Sequence, residues 1–239
     1  MEEMRINKYL ASCGAASRRE ADRLIEEGRV AINGILAETG SKVREGDVVT
    51  LNGKRLDLAP EKVVLKYYKP EGVTVTEKDP HAARTLMDEI KYPVRVTYAG
   101  RLDKDSEGLL LLTNDGDLID AIMRGANKHE KEYVVKTDKK IDEAFEKKMS
   151  EGIYLKELKV KTRECEVKLL GPYTFSIILT QGLNRQIRRM CEACGYKVKS
   201  LKRIRVMNIN LNGLKPGEYR ELEEEEKREL YRLAGINGR

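Results

Sequence analysis

Histidine and cysteine are scarce in this 239-residue chain, with two and four copies, and tryptophan is absent. The two histidines, His81 and His129, are too few for a histidine-held metal. Cys13, Cys165, Cys191 and Cys194 are too few and too unevenly spaced for the disulfide framework of a secreted protein. Cys191 and Cys194 form a lone CxxC, with no second pair to complete a structural zinc site, and they directly follow RQIRRM on one helical stretch. Both thiols therefore read as packing residues. No window reaches eighteen consecutive apolar residues, and the charged start MEEMRINKYL lacks the apolar stretch of a signal peptide, so the expected compartment is the cytoplasm. No GxxxxGK[ST] loop is present to cradle a nucleotide. With no metal or cofactor site in view, the side chains themselves must supply any chemistry.

What is present begins with charge. The net charge of +6 hides a local concentration: from Arg185 to Arg205 there are eight Lys or Arg and one acid, Glu192. Residues 1–60 carry ten basic and ten acidic side chains. A local cationic field attracts phosphate backbones through counterion release, without sequence information. The opposite sign gathers at Glu223 to Glu226, which reads as the solvated face of a terminal helix.

The densest chemical signal is GRLDKDSEGLLLLTNDGDL, residues 100–118. It sets one carboxylate, Asp103, between Arg101 and Lys104, just before a leucine run that reads as a buried strand. Asp105, Asp115 and Asp117 read as turn residues, and Asp103 alone could be one too. A carboxylate beside a cationic stretch points to chemistry on a polyanion. In a partly enclosed site such a group stays ionised only with a cation close by.

With 40% hydrophobic content the chain can hold one small and one large core. Ile6, Tyr9, Leu10 and Cys13 recur at helical spacing. Ser17 with Glu20 forms a capping-box pattern for a second helix that should stop at Gly28. Val30 and Ile32, the Asn33-Gly34 turn, Val43 and the segment 48–51 read as short strands. A linker is expected around residues 57–61, at Pro60. Beyond it, strand-like segments at 63–68, 73–76, 109–113, 133–136, 164–170 and 175–179 alternate with helical stretches at 141–149 and 185–193. The balance predicts an α+β domain with a mixed, mainly antiparallel sheet. With no hydrophobic heptad and no apolar surface stripe, a monomer is expected.

The first sixty residues, two helices followed by hairpin strands, resemble the S4 RNA-binding domain. That resemblance implies that Arg5, Lys8, Arg18, Arg19 and Arg23 face RNA phosphates; read from the residues alone they equally suit a solvated helix surface, since acids interleave with them. KPEGVTVT at 69–76, the Asp103 motif, HEKEYVV at 129–135 and QGLNRQIRRM at 181–190 follow in the order seen in bacterial S4-domain rRNA pseudouridine synthases, which the whole chain resembles. GLNRQIRRMCE with VMNINLNGLKPGEYREL is most similar to the RluF type of that family.

The resemblance implies cofactor-free isomerisation of a uridine within 23S rRNA, with a tRNA anticodon uridine as a second target. Asp103 matches the catalytic aspartate, which either attacks C1′ or removes the C2′ proton. Arg188 is the cation expected against it. Tyr133 is expected to stack on the target uracil, although a strand tyrosine also suits a core. Arg101 would fill the gap left by the extruded base. Lys104, Arg185 and Arg189 would meet RNA. Lys131 and Asn184 lie within the motifs and read as readily as surface or turn residues. The competing functions are a non-catalytic S4-domain protein that binds RNA or the ribosome, and a nucleosidase. The first has no use for an aspartate in a phosphate-attracting surface, and the second usually needs a partner carboxylate.

Overall fold

The computed structural model describes residues 3–58, 61–76 and 84–236. The proline boundary at 59–60 and His81 lie outside the described residues. The chain divides into two compact units: Met1–Val63 with Tyr92–Thr97 and Asn114–Gly116, and Val64–Lys91 with Tyr98–Thr113 and Asp117–Arg239.

In the first unit the expected local signals act as such. Helices Ile6–Ser12 and Arg18–Glu26 pack through Ile6, Leu10, Leu24 and Ile25, all buried. Ser17 caps the second helix, its Oγ accepting from Glu20 N at 3.2 Å. Glu20 does not complete the capping box but pairs with Arg23 on the next turn. Four antiparallel strands follow, in the order Ile35–Leu36, Val30–Ile32, Val49–Leu51, Lys54–Leu56. Asn33 and Gly34 both adopt positive φ, the two-residue turn that matches strand twist.

The second unit is built on a mixed sheet. Its main path runs Glu166–Gly171, Thr174–Leu179, Lys131–Thr137, Val198–Val206, Glu107–Thr113, Val64–Lys69 and Tyr219–Glu221. Every neighbour on that path is antiparallel except Val198–Val206 beside Glu107–Thr113, which run parallel and pair through Lys202–Glu107 and Arg203–Gly108. This matches the expected α+β class. The leucine run is buried on both faces, Leu109 to Leu112 each at most 1% exposed. One core gathers Val64, Leu109, Leu118, Ile209 and Leu230; a second gathers Val135, Phe145, Phe175, Ile187 and Leu201. No helix among the described residues is long and apolar enough to cross a membrane.

Four expectations need correction. Residues 73–76 are not a strand: Thr74 makes one isolated bridge to Thr85, its carbonyl accepting from Leu86 N, so among the described residues the segment makes a bridge rather than a ladder. The helix at 185–193 begins at Gln186, because Arg185 sits in the left-handed region at φ +50°. The cationic stretch is helical only over Gln186–Ala193; four of its eight cations, Lys199, Lys202, Arg203 and Arg205, lie on the strand Val198–Val206, paired on both edges. The acidic run is more than a solvated face. Glu223 and Glu226 form a reciprocal capping box at the start of helix Glu224–Leu233, where the helix dipole favours negative charge, and Glu226 also takes Arg220.

Candidate active site

The motif around Asp103 is a loop clamped from several sides. Ser106 N closes the turn onto Asp103 O at 3.1 Å, and Gly72 N donates to Lys104 O at 2.8 Å. Beneath it lies Lys69, fully buried, whose ammonium donates to Ser106 O at 2.7 Å and Pro70 O at 2.8 Å. Burial pulls Lys69 down to about 8, against the opposing pull of Glu71, Asp103, Asp105 and Glu107. Lys69 thus fastens the first motif to the Asp103 motif.

The loop's exit requires glycine. Gly108 has φ +113°, and a Cβ there would lie 2.6 Å from the backbone N of Arg203 and closer still to its carbonyl oxygen. The parallel strand can approach only a residue without a side chain.

Helix Gln186–Ala193 supplies the cations. Gln186 accepts from Leu183 N at 3.1 Å and so closes the turn that carries Asn184 and Arg185. The left-handed backbone of Arg185 turns its guanidinium back to Asp105, which it grips with two bonds of 3.0 and 2.8 Å. The same guanidinium lies 3.6 Å from Asp103 Oδ2. Arg188, expected against Asp103, instead donates to Asp105 O and, at 3.3 Å, to Ser106 Oγ, with its Nε 3.4 Å from Asp105 Oδ2. The cation that touches Asp103 is therefore Arg185, and Arg188 acts two residues further along the loop, at Asp105. Asp105, read from sequence as a turn residue, takes both arginines, and the Arg185 bond holds its carboxyl below the ordinary range.

Asp103 opens onto a cleft of about 590 Å³ within the second unit, large enough for one nucleotide. Tyr133, half-buried, stands on its wall with Arg188; Arg101 and Lys104, both exposed, stand at its rim. Among the other cations that line it are Lys131 and Arg203. Lys131 is pulled down to about 8 by burial and by Arg203. Burial likewise lowers His129.

Other expected residues lie outside this cleft. Arg189 turns to Glu157 and to the Asn184 carbonyl, so of the adjacent pair only Arg188 faces the site. On the first unit Arg5, Arg18, Arg19 and Arg23 are exposed and Lys8 is half-buried. Arg23 is engaged by Glu20 and Glu27 on its own helix. Cys191 is buried in the second core with Cys194 beside it, and burial pushes the Cys191 thiol up to about 12.

The sequence reading assigned no part in the site to three residues that the structure places in or beneath it: Lys69, Asp105 and Arg203. Arg203 was detectable in principle. In KVKSLKRIRV it shares the inward phase of its strand with buried Leu201, an unusual place for a charge.

The RNA pseudouridylate synthase family matches residues 63–193 and the S4 domain matches residues 4–49. The dual-specificity RNA pseudouridine synthase RluF of Escherichia coli K12 is 47% identical over 232 residues, which is 96% of this chain and 79% of that one. The ribosomal large subunit pseudouridine synthase B of Bacillus subtilis is 40% identical over 238 residues, 96% of each chain. A crystal structure of a pseudouridylate synthase superposes with a TM-score of 0.71 at 28% identity, covering 95% of this chain and 99% of that one.

Proposed function

Because this chain belongs to the RNA pseudouridylate synthase family and carries an S4 domain ahead of the synthase domain, we propose that it isomerises a uridine of 23S rRNA, with Asp103 as the reacting carboxylate. The observation that carries the proposal is the presentation of Asp103: a carboxylate on a clamped loop, facing a nucleotide-sized cleft, with Arg185 at 3.6 Å. The reaction exchanges the N1–C1′ bond for a C5–C1′ bond on the same base. It moves no electrons and no group to an outside acceptor, so the side chains of the cleft suffice to balance it.

The positions of these side chains on the cleft support the following roles. Asp103 engages the sugar at C1′ or C2′. Tyr133 stacks on the base, which must leave its helix to reach the carboxylate. Arg101 enters the gap that the base leaves, and Lys104 meets the adjoining phosphates. On the S4 domain, Arg5 and Arg19 add phosphate contacts.

Pseudouridine mapping of protein-free 23S rRNA and of tRNA, after incubation with wild type or Asp103→Asn, tests this reading. The tRNA arm is included because RluF, the E. coli relative, carries dual specificity in its name. The expected result is a new pseudouridine in 23S rRNA with wild type and none with Asp103→Asn, which keeps its RNA affinity. An Asp103→Asn protein that still makes the product would refute the assignment of Asp103. A wild type that binds these RNAs and modifies none would favour a binding protein.

A further inference from the structure

The cleft that holds Asp103 also holds positive charge that no carboxylate among the described residues neutralises. Arg203 is 3% exposed. Its Nε donates to Leu109 O at 2.7 Å, and its Nη2 is buried without an acceptor. Among the described residues Lys131 reaches only the His129 carbonyl, at 3.4 Å, and it feels Arg203 as a like charge. The other arginines of the same cationic stretch are all paired: Arg185 and Arg188 with Asp105, Arg189 with Glu157, Arg205 with Glu130 and Glu132. Enclosing two cations side by side without a counter-charge is costly, and such arrangements concentrate where function uses them.

The sheet places both beside Tyr133. Arg203 lies opposite Tyr133 across the ladder, and Lys131 is two residues before Tyr133, on the same face by strand alternation. A bulge at this point separates the two arginines of the strand: Arg205 falls opposite Glu132 while Arg203 stays with Tyr133.

We propose that Arg203 and Lys131 form the receptor for the two carbonyl oxygens of the target uracil and stabilise the ring while it is detached from C1′. The proposal rests on the isomerase reading above and adds the residues that hold the base. When N1–C1′ breaks, its electron pair stays on the ring, spread over N1, O2 and O4, while Asp103 takes either C1′ or the C2′ proton. The ring turns, C5 bonds to C1′, C5 gives up its proton and N1 receives one; on the C2′ route Asp103 also returns its proton. The uracil is neutral at the start and the end and anionic only between, so cations at its carbonyls act on the barrier more than on affinity. A half-turn about the N3–C6 axis exchanges N1 with C5 and O2 with O4. Two cationic donors that grip the carbonyls before the turn therefore grip them after it. A backbone phosphate is the other anion that such a pair could hold, but Arg203 lies deep in the cleft, whereas the exposed Arg101 and Lys104 stand at its rim.

The test is single-turnover tritium release from a 23S rRNA transcript labelled at uracil C5, with affinity measured in parallel across a salt series. Lys131→Met should slow turnover on the order of a hundredfold with affinity and salt slope unchanged, and Lys131→Arg should recover most of the rate. Arg203→Lys should slow turnover at least about tenfold; because its Nε also ties the strand to Leu109, the Lys131 pair of variants carries the decision. A Lys131→Met protein with the wild-type rate overturns the proposal. So does one whose affinity falls in step with its rate and whose salt slope drops by about one, which marks a phosphate site. The wild-type rate in the same assay tests the underlying activity separately: an inert wild type removes that reading and this one with it, whereas an active wild type leaves the variant-to-wild-type ratio to judge the cation pair alone.

Discussion

Asp105 governs how Asp103 is presented, because it anchors the arginine nearest to it. Asp105→Ala frees Arg185 and Arg188 together, and a reacting carboxylate that loses its positioning by about an ångström loses on the order of a hundredfold in rate. Single-turnover kinetics should show that loss, with a smaller one for Arg188→Ala than for Arg185→Ala; the reverse order would restore Arg188 as the partner of Asp103. Lys69 gives a pH signature. Its proton leaves the fold at about 8 but leaves the unfolded chain near the ordinary 10.5. Between those values the unfolded state holds more protons, so stability rises with pH on this account. The denaturation midpoint of wild type should therefore gain on that of Lys69→Met between about pH 7.5 and 9.5. At this scale motif and chemistry singled out Asp103 and Tyr133, and the structure brings both to one cleft. The pairing of arginines was not legible, since it turns on one left-handed backbone at Arg185 that no periodicity announces.

The local rules explain most elements. Ser17, Asn33-Gly34 and the leucine run each produced the structure their chemistry dictates. The failures are equally physical. The strand Val198–Val206 was hidden because its lysines and arginines mask a period-two pattern, and its pairing on both edges overrides what composition suggests. Gly108 marks where that strand closes onto the Asp103 motif. Gly108→Ala should cost more than about 3 kcal/mol, combining strain at positive φ with a backbone overlap that no rotamer relieves. Gly171→Ala, with open space around it and no positive φ, should fall within about 1 kcal/mol of wild type. Urea denaturation of both variants checks the contrast.

For the whole molecule, the two-domain organisation and the α+β class were readable from motif order, and membership of the RNA pseudouridylate synthase family confirms the functional class that resemblance implied. The reach of the cationic field was not readable, because its sum of charges ignores pairing. Carboxylates engage four of its arginines, while Lys197 and Lys199 remain exposed. Phosphate binding on the S4 domain should fall to Arg5 and Arg19. Replacing both with glutamine should lower the salt slope of RNA binding by roughly 0.7–0.9 for each phosphate that is no longer neutralised, and leave the single-turnover rate at saturation unchanged.

The parallel join between Val198–Val206 and Glu107–Thr113 has one more consequence. It pairs through only two residues on each side, between halves that each keep their own core, and the cleft draws its lining from both, Ile122 from one and Ile187 from the other. A seated nucleotide would act as a rivet across that seam. Backbone amides near Lys202 and Arg203, already paired with the strands on either side, should exchange with deuterated solvent more slowly still once RNA is bound, so the substrate tightens the join it sits across.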